Sequence, residues 1–416
     1  MSNFQRIGTA NMFDSALRNL SARQKTVADL QENLTSGKRV VRASDDPVAA
    51  AQAERALTRI SRIQAEQRQL EVQRGAMALA ESTLGDAVGL VQEMRQLVVA
   101  AGNGTLKPED RKTYANQLTS LRDQFNEVIN RKDTNGVPLL GALGSALKAF
   151  AGPLLGGGAN YRFDGLPGQA ASGGTDIATA LDGHAALMFD AVRDGVYTAG
   201  VTRAPGSSLV TSAINTSNRQ TLAGASYEMS ITGVTTSGGS TQVTYSLSRN
   251  GGPPLGPFTA SAAAGQPIPI DIQDGPPHVS VVKFELTGTP AAGDKVQLAP
   301  SSSLMGTLDA AIRSIAGAAD TVDAAQAVGQ ALAGIDAGME RLHNMRGYAG
   351  ELLGRADRIA SDQETRSIQL EGDRSRAEDL DMVKGISDFQ NAHVGYQAAL
   401  QSYAQVQKLS LLDFMR

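Results

Sequence analysis

The spacing of apolar residues divides the chain into two helical ends and a middle of another kind. Between Ile386 and Phe414, apolar and aromatic residues recur at alternating steps of three and four, which is a heptad row on a helix. A similar row near the other end has members seven residues apart, namely Phe13, Leu20, Val27 and Leu34. Matching rows at opposite ends predict that the chain ends pack on each other in a long antiparallel coiled-coil or helical-bundle rod.

Two sets of residues near these rows are candidates for subunit assembly. The N-terminal set is Phe13, Leu17, Leu20, Val27 and Leu34. The C-terminal set is Ile386, Phe389, Tyr396, Leu400, Tyr403, Leu411 and Phe414. Polar residues also fall at inward positions of both rows, namely Gln24, Gln31, His393, Gln407 and Ser410. A buried polar group must find a partner or water. We therefore expect both ends to be largely disordered in the monomer and to fold on assembly, with an ordinary intramolecular bundle as the alternative.

Turn and cap signals set the limits of the first two helices. Gly37 is expected to end the first helix. The run Ser44-Asp45-Asp46-Pro47 begins the second, with Ser44 or Asp45 accepting from its free amides and Pro47 at its first position. The two aspartates are therefore either a helix start or a functional acid pair.

Longer apolar rows predict helices that pack together nearer the centre of the chain. The second helix has a row from Ile63 to Val98, and a third helix begins at Pro108. A further row runs from Val328 through Met339 to Ala356 and is expected to pack on the second and third helices. It weakens over residues 363–376, which predicts a joint there.

The middle of the chain has the composition and the period of a β domain. Thirteen of the fifteen prolines lie between Pro138 and Pro300, which excludes one long helix. After Pro205, apolar and polar residues alternate between glycine and proline turns, and one of the expected inward runs is Val279, Val281 and Lys283. Residues 177–192 fit either a strand or a short helix. The sequence thus predicts a mainly α chain with an inserted β domain. Its expected domains are residues 1–43 with 381–416, residues 44–140 with 304–380, and residues 141–303.

Composition narrows the classes of function. Aromatic residues make up 4% of the chain and tryptophan is absent, which indicates a thin core such as a coiled coil has. The net charge is −4, so we expect no nucleic-acid partner, and cysteine is absent. We also expect no cleaved signal peptide and no membrane insertion.

Residues that carry catalytic or metal chemistry form no recognisable pattern. The four histidines are scattered without metal-ligand spacing. No glycine-rich loop ends in lysine followed by serine or threonine, and no serine lies in a nucleophile-elbow pattern. We therefore expect no enzymatic activity, no cofactor and no metal site.

Short motifs at both ends resemble the flagellin superfamily. On the N-terminal side they are SGKRV at residues 36–40 and ASDDP at residues 43–47. On the C-terminal side they are RGYAGEL at residues 346–352 and SRAEDLD at residues 375–381. Their order and their distances from the chain ends make the combination more specific than any one motif.

Further motifs resemble one subfamily, whose members join the flagellar hook to the filament. These are the segments at residues 45–51, 397–404 and 407–414. Residues 135–141 and 161–165 fit a motif that is normally one compact unit, although glycine-rich residues separate its halves here.

The resemblance implies a structural component of the bacterial flagellum. Members of the superfamily leave the cell unfolded through the flagellar type III export apparatus, so the location implied is secreted and extracellular. An export chaperone is expected to bind the C-terminal helix before export. The assembled subunits are expected to form a ring or collar between hook-associated protein type 1 and filament flagellin.

Two other functions stay open. The first is a flagellin that builds the filament itself, although the ending at residues 411–416 differs from the shorter leucine-arginine ending usual there. The second is a coiled-coil signalling or adhesion module with a β head, which a membrane anchor or a signal peptide would favour.

Overall fold

The computed structural model describes residues 4–154, 161–168, 177–274 and 278–414, except for the side chains of residues 4–13, 406 and 408–414. The chain forms two compact units. We call residues 1–69 with 359–416 the terminal unit, and residues 70–358 the central unit.

Long helices occupy both ends of the chain, as predicted. The helices described are α1 Phe4–Ser36, α2 Pro47–Ala101, α3 Pro108–Ile129, α4 Gly183–Leu187, α5 Arg219–Leu222, α6 Leu304–Gly317, α7 Thr321–Glu378 and α8 Met382–Phe414. Gly37 ends α1 with a φ of +69°, in the left-handed region that favours glycine. Helix α7 runs without a break through the predicted joint at residues 363–376 and ends at Glu378. The division between the two compact units falls just before this stretch, after Arg358.

The predicted domain limits fall partly at breaks between helices. Those near residues 43 and 381 lie in the short non-helical segments that follow α1 and precede α8. The two compact units divide inside α2 and inside α7. The division into three domains stays a prediction, and so does the coiled-coil rod.

Strands fill the middle of the chain. They are β1 Phe150–Ala151, β2 Arg162–Phe163, β3 Tyr197–Thr202, β4 Val210–Thr211, β5 Asn215–Thr216, β6 Tyr227–Ser237, β7 Ser240–Arg249, β8 Leu255–Ala263, β9 Ile268–Asp274, β10 Val279–Thr287 and β11 Lys295–Pro300. One antiparallel sheet has the order β3-β11-β6-β7-β8, and in a second β10 pairs with β4, β5 and β9. The prediction of a mainly α chain with an inserted β domain is confirmed, and residues 177–192 contain the short helix α4.

Alternating residues of both sheets share one hydrophobic core, because a strand turns successive side chains to opposite faces. Its members from the predicted runs are Tyr227, Met229, Ile231, Val243, Tyr245, Leu247, Ile268, Ile270, Ile272, Val281, Val296 and Leu298. The alternation predicted through Lys283 is wrong, because that residue is exposed. The register of β10 shifts between Ser280 and Val282, so Val282, Phe284 and Leu286 face the core beyond it.

Two buried glutamines of α7 hold the edge strand β3 and the neighbouring strand β4. Gln330 Oε1 accepts a hydrogen bond from the Ala199 amide at 3.0 Å. Gln326 Oε1 accepts from the Thr211 amide at 2.7 Å, and its Nε2 donates to the Ala199 carbonyl at 3.3 Å. These bonds satisfy backbone groups at the sheet edge and fasten the β domain to α7 within the central unit. No motif of the sequence predicted them.

Helix packing in the central unit follows the predicted rows with one systematic difference. Arg95 of α2 lies 2.7 Å from Asp336 of α7, so α7 lies along α2 as expected. On α7, however, the predicted Met339 is half-buried and its neighbour Gly338 is buried. A Cβ on Gly338 would lie 2.4 Å from the Leu304 side chain of α6, so a small residue is needed there.

The two halves of the interrupted motif at residues 135–141 and 161–165 come together in space. A Cβ on Gly165, in the second half, would lie 2.5 Å from the carbonyl oxygen of Gly141, in the first half. Close by, strands β1 and β2 pair with Phe150 opposite Phe163. The glycine-rich insertion therefore leaves the compact arrangement of this motif intact.

A buried tyrosine joins this motif to the helices of the central unit. The Tyr161 hydroxyl donates to Asp309 of α6 at 2.7 Å and accepts from Arg122 of α3 at 3.0 Å. Burial raises the pKa of Tyr161 to about 12, and the hydrogen bond to Asp309 acts in the same direction.

Candidate assembly surface

The segment after α1 pairs with the segment before α8. The Leu380 amide donates to the Gly37 carbonyl at 2.9 Å, and the Arg39 amide donates to the Glu378 carbonyl at 2.7 Å. Lys38 forms an ion pair with the Glu378 carboxylate. These contacts fix the antiparallel register of the two helical ends. Nothing in the sequence pattern predicted this pairing.

Asp46 caps α2, which corrects the prediction that Ser44 or Asp45 does so. Asp46 Oδ1 accepts from the amides of Val48 at 3.1 Å and Ala49 at 3.0 Å. Asp45 instead accepts from a backbone amide three residues before it, at 2.8 Å. The cap lies one residue later than predicted because α2 begins at the proline that follows Asp46.

The environment of Asp46 favours its charged form. The hydrogen bond from the Ala49 amide, and after it the contact with Arg39, hold the pKa of Asp46 below its usual value. Arg39 Nη1 lies 3.3 Å from Asp46 Oδ2. Pro47 is the first residue of α2, as predicted, where its missing amide needs no partner. The acidic pair is thus a helix start in this structure, and its use in subunit contacts stays a prediction.

Helices α1 and α8 pack against each other, as the two apolar rows predicted. The residues of α1 that turn inward are half-buried, namely Ala16, Leu20, Val27, Leu30 and Leu34. Those of α8 are buried or half-buried, namely Gly385, Phe389, Ala392, Tyr396, Ala399 and Tyr403. Both rows keep alternating steps of three and four, apart from exposed Arg23 in the α1 row.

The candidate assembly residues fall into three groups. Leu20, Val27, Leu34, Phe389, Tyr396 and Tyr403 lie in the inward rows. Leu17, Ile386 and Leu400 are exposed by 39%, 46% and 39%, so the predicted register is wrong at alternate positions. The side chains of Phe13, Leu411 and Phe414 lie outside the described residues. The role of all these residues in assembly stays a prediction.

The reason given for a weak terminal pair is also wrong. Four of the five polar residues expected inward are exposed, namely Gln24, Gln31, His393 and Gln407, and the side chain of Ser410 lies outside the described residues. Leu30 takes the inward position expected for Gln31. Polar groups at these positions do not enter the contact between α1 and α8. Any disorder of the ends in the monomer must have another cause.

Large apolar side chains lie uncovered on α8. The exposed fractions are 47% for Met382, 82% for Val383, 46% for Ile386, 63% for Val394 and 39% for Leu400. At about 100° per residue, these positions form one flank of the helix beside the inward row. We call these five residues the apolar flank. Three of them, Met382, Val383 and Val394, were missed because they lie off the heptad row.

The described ranges hold no group of three or more histidine, cysteine, aspartate or glutamate residues arranged to bind a metal ion. In the same part of the chain, no helix combines the length and the apolar character needed to cross a membrane.

Comparison with known proteins relates the chain to flagellar components. The bacterial flagellin N-terminal helical region matches residues 7–143. The flagellar hook-associated protein 3 of Salmonella typhimurium is 35% identical over 135 residues, and that of Escherichia coli is 34% identical over 135 residues. Each alignment covers 32% of this chain and 41% of the relative, so the chain matches less than half the length of these relatives.

Solved structures extend the similarity to the fold. FlgL from Xanthomonas campestris has a TM-score of 0.57 at 19% identity, over 77% of this chain and 98% of that one. The flagellar junction protein FlgL from Legionella pneumophila has a TM-score of 0.58 at 21% identity. That similarity covers 74% of this chain and 99% of the Legionella chain. The predicted resemblance to the flagellin superfamily, and within it to hook-associated protein 3, is confirmed.

Proposed function

We propose that this chain is a structural subunit of the bacterial flagellum and forms the junction between hook and filament. The observation that carries the proposal is the terminal helix pair with its uncovered apolar flank, in a chain whose N-terminal region is similar to hook-associated protein 3. An apolar surface of this kind is stabilised when a neighbouring subunit covers it. The FlgL-like fold supports the same function.

The proposal includes a route and a set of partners. The chain is exported unfolded through the flagellar type III apparatus, with an export chaperone on the C-terminal helix. Outside the cell its ends fold as it assembles into a ring or collar. The collar meets hook-associated protein type 1 on one side and flagellin on the other. The role is structural, without enzymatic activity or cofactor.

Seeded assembly tests this function. Purified protein is added to hook fragments bearing hook-associated protein type 1 and observed by electron microscopy. We expect a short terminal collar that then accepts flagellin. Continuous long filaments of this protein alone would make it a filament flagellin instead, and no addition to the hook fragments would contradict both functions.

A further inference from the structure

An arginine-rich face on the first turns of α2 lacks counter-charges. Arg55 and Arg59 are one helical turn apart and exposed. In the part of the chain that the structure describes, neither side chain forms an ion pair. Like charges four residues apart destabilise a helix, so this pair has a cost within the chain itself.

Both arginines line a cleft in the terminal unit. The cleft has a volume of about 520 Å³, between the start of α2 and the end of α7. Its charged lining residues are Arg39, Asp46, Arg55, Arg59, Asp373 and Arg376. Arg39 and Arg376 each form an ion pair with one of the aspartates, so four arginines against two aspartates leave a net charge of +2. We call this the arginine cleft.

A groove of opposite charge lies in the central unit. It has a volume of about 640 Å³ and is lined by parts of α2 and α3. Its charged lining residues are Asp86, Glu93, Glu127 and Arg131, with a net charge of −2. Arg131 pairs with Asp86, whereas Glu93 and Glu127 are exposed and form no ion pair among the described residues. We call this the acidic groove.

The lining of the acidic groove leaves room for another molecule. A Cβ on Gly89 would meet no atom within 4 Å. Glycine inside a helix is less stable than alanine, and no neighbouring atom in the chain requires it at this position. Close approach by a second molecule is one physical reason for a glycine there.

We propose that the arginine cleft of one copy of this chain binds the acidic groove of a second copy. The net charges are equal and opposite. The two unpaired guanidinium groups of the cleft would pair with the two unpaired carboxylates of the groove. The two surfaces differ, so the contact is heterologous and each copy offers both halves. Repetition of such a contact generates a closed ring or an open helix rather than an isolated dimer.

Charge reversal in the full-length protein tests this contact. The cleft variant carries Arg55→Glu and Arg59→Glu, and the groove variant carries Glu93→Arg and Glu127→Arg. Association is measured by sedimentation velocity over a range of protein and salt concentrations. We expect wild-type association at low salt that weakens at high salt, and at least about tenfold weaker association in either variant.

Mixing the variants provides the decisive measurement. An equimolar mixture presents a cleft of net charge about −2 to a groove of about +2, so we expect association to return. The double substitution Arg68→Glu with Arg366→Glu is the matched control, because it changes the net charge equally at exposed arginines outside the cleft. Thermal unfolding of every variant is measured to check that the fold is retained.

Several outcomes would overturn the proposal. One is that the wild type shows no salt-dependent association, and another is that the cleft variant associates as strongly as the wild type. A third is that the mixture of variants associates no more strongly than either variant alone, and a fourth is that the control loses as much association as the cleft variant. Equal loss in the control would mean that net charge alone governs association. Retained pairing with failed collar formation on hooks would count against the proposed function and leave this contact standing.

Discussion

At the scale of single residues, one carboxylate sets the start of α2. Asp46 accepts from two amides of the first turn, and its charge complements the helix dipole. Because its pKa is lowered in the folded chain, its contribution to stability is present above the pKa of an unfolded aspartate, about 4. That contribution is lost as the pH falls through the lowered value.

Substitution at this cap separates its role from that of its neighbours. We expect Asp46→Ala to lower the denaturant concentration at which the chain unfolds at pH 7. Ser44→Ala should leave it nearly unchanged, because Ser44 accepts from no amide of α2. The substitution Asp46→Asn keeps an acceptor oxygen, so the denaturant concentration at which this variant unfolds should lie between those of the two alanine variants. Equal effects of the alanine substitutions in chemical denaturation would contradict the assignment.

A second residue-scale prediction concerns Tyr161. Tyr161→Phe removes the hydrogen bonds to Asp309 and from Arg122, and we expect a loss of about 1 kcal/mol in the free energy of unfolding. The pKa is raised to about 12 in the folded chain, so the stabilising contribution is present below the unfolded value of about 10.

The pH dependence provides the control for this substitution. The difference between wild type and the phenylalanine variant should shrink as the pH rises from about 10 to about 12. Urea unfolding at several pH values measures it. A difference that grows over this interval would mean that burial does not raise the pKa of Tyr161.

At the scale of elements, small residues decide which face of a helix is buried. On α8, Gly385 lies inward where Ile386 was expected, and a Cβ on Gly385 would lie 2.8 Å from Leu380 and 3.3 Å from Leu34. On α7, Gly338 lies inward beside Leu304, where Met339 was expected. Close approach of two elements selects the small residue of each adjacent pair and leaves the larger one at the margin.

The attachment of the β domain to α7 is also a property of elements. The substitution Gln326→Leu removes the side-chain oxygen that accepts from the Thr211 amide and the side-chain nitrogen that donates to the Ala199 carbonyl. Both of these backbone groups stay buried. Each unsatisfied buried group costs about 1–3 kcal/mol, so we expect a loss of about 2 kcal/mol or more. Gln92→Leu, on an exposed face of α2, is the control. Comparable losses in the two variants would contradict the proposed attachment.

At the scale of the whole molecule, we expect the apolar flank to connect the fold of the monomer with assembly. Ile386→Asp places a charge in the flank, where the side chain is 46% exposed. We expect the free energy of unfolding of the monomer to change by no more than about 0.5 kcal/mol. Addition to hook fragments should fall strongly, because a buried unpaired charge opposes subunit contact.

The matched control for this prediction is Asn391→Asp. Asn391 is exposed on α8 but lies away from the apolar flank, so the substitution adds the same charge outside the proposed contact. Electron microscopy counts the hook ends that carry collars. Equal collar formation by the two variants would show that the flank makes no subunit contact.

The folding of the chain ends on assembly is a separate prediction. The contact between α1 and α8 consists mostly of half-buried residues, which gives it little apolar area to offset the cost of ordering the chain. We expect weak amide protection over residues 386–414 in the free monomer and strong protection in assembled collars. Hydrogen exchange measures both, and strong protection in the monomer would refute the idea.

The sequence by itself determined the type and the approximate limits of the long helices and of the β domain. Proline, glycine and the period of apolar residues act through local geometry, so they can be read without knowing the contacts. It also identified Leu20, Val27, Leu34, Phe389, Tyr396 and Tyr403 as inward residues.

Only the tertiary structure decided which of two adjacent residues faces inward. Neighbours on a helix differ by about 100°, so both can border the same contact, and their order depends on how closely the partner approaches. The distance between elements selected Gly385 and Gly338, and a register shift in β10 turned Phe284 rather than Lys283 inward. The pairing of residues 37–40 with 378–380 joins segments that are far apart in the chain, and no local pattern specifies it.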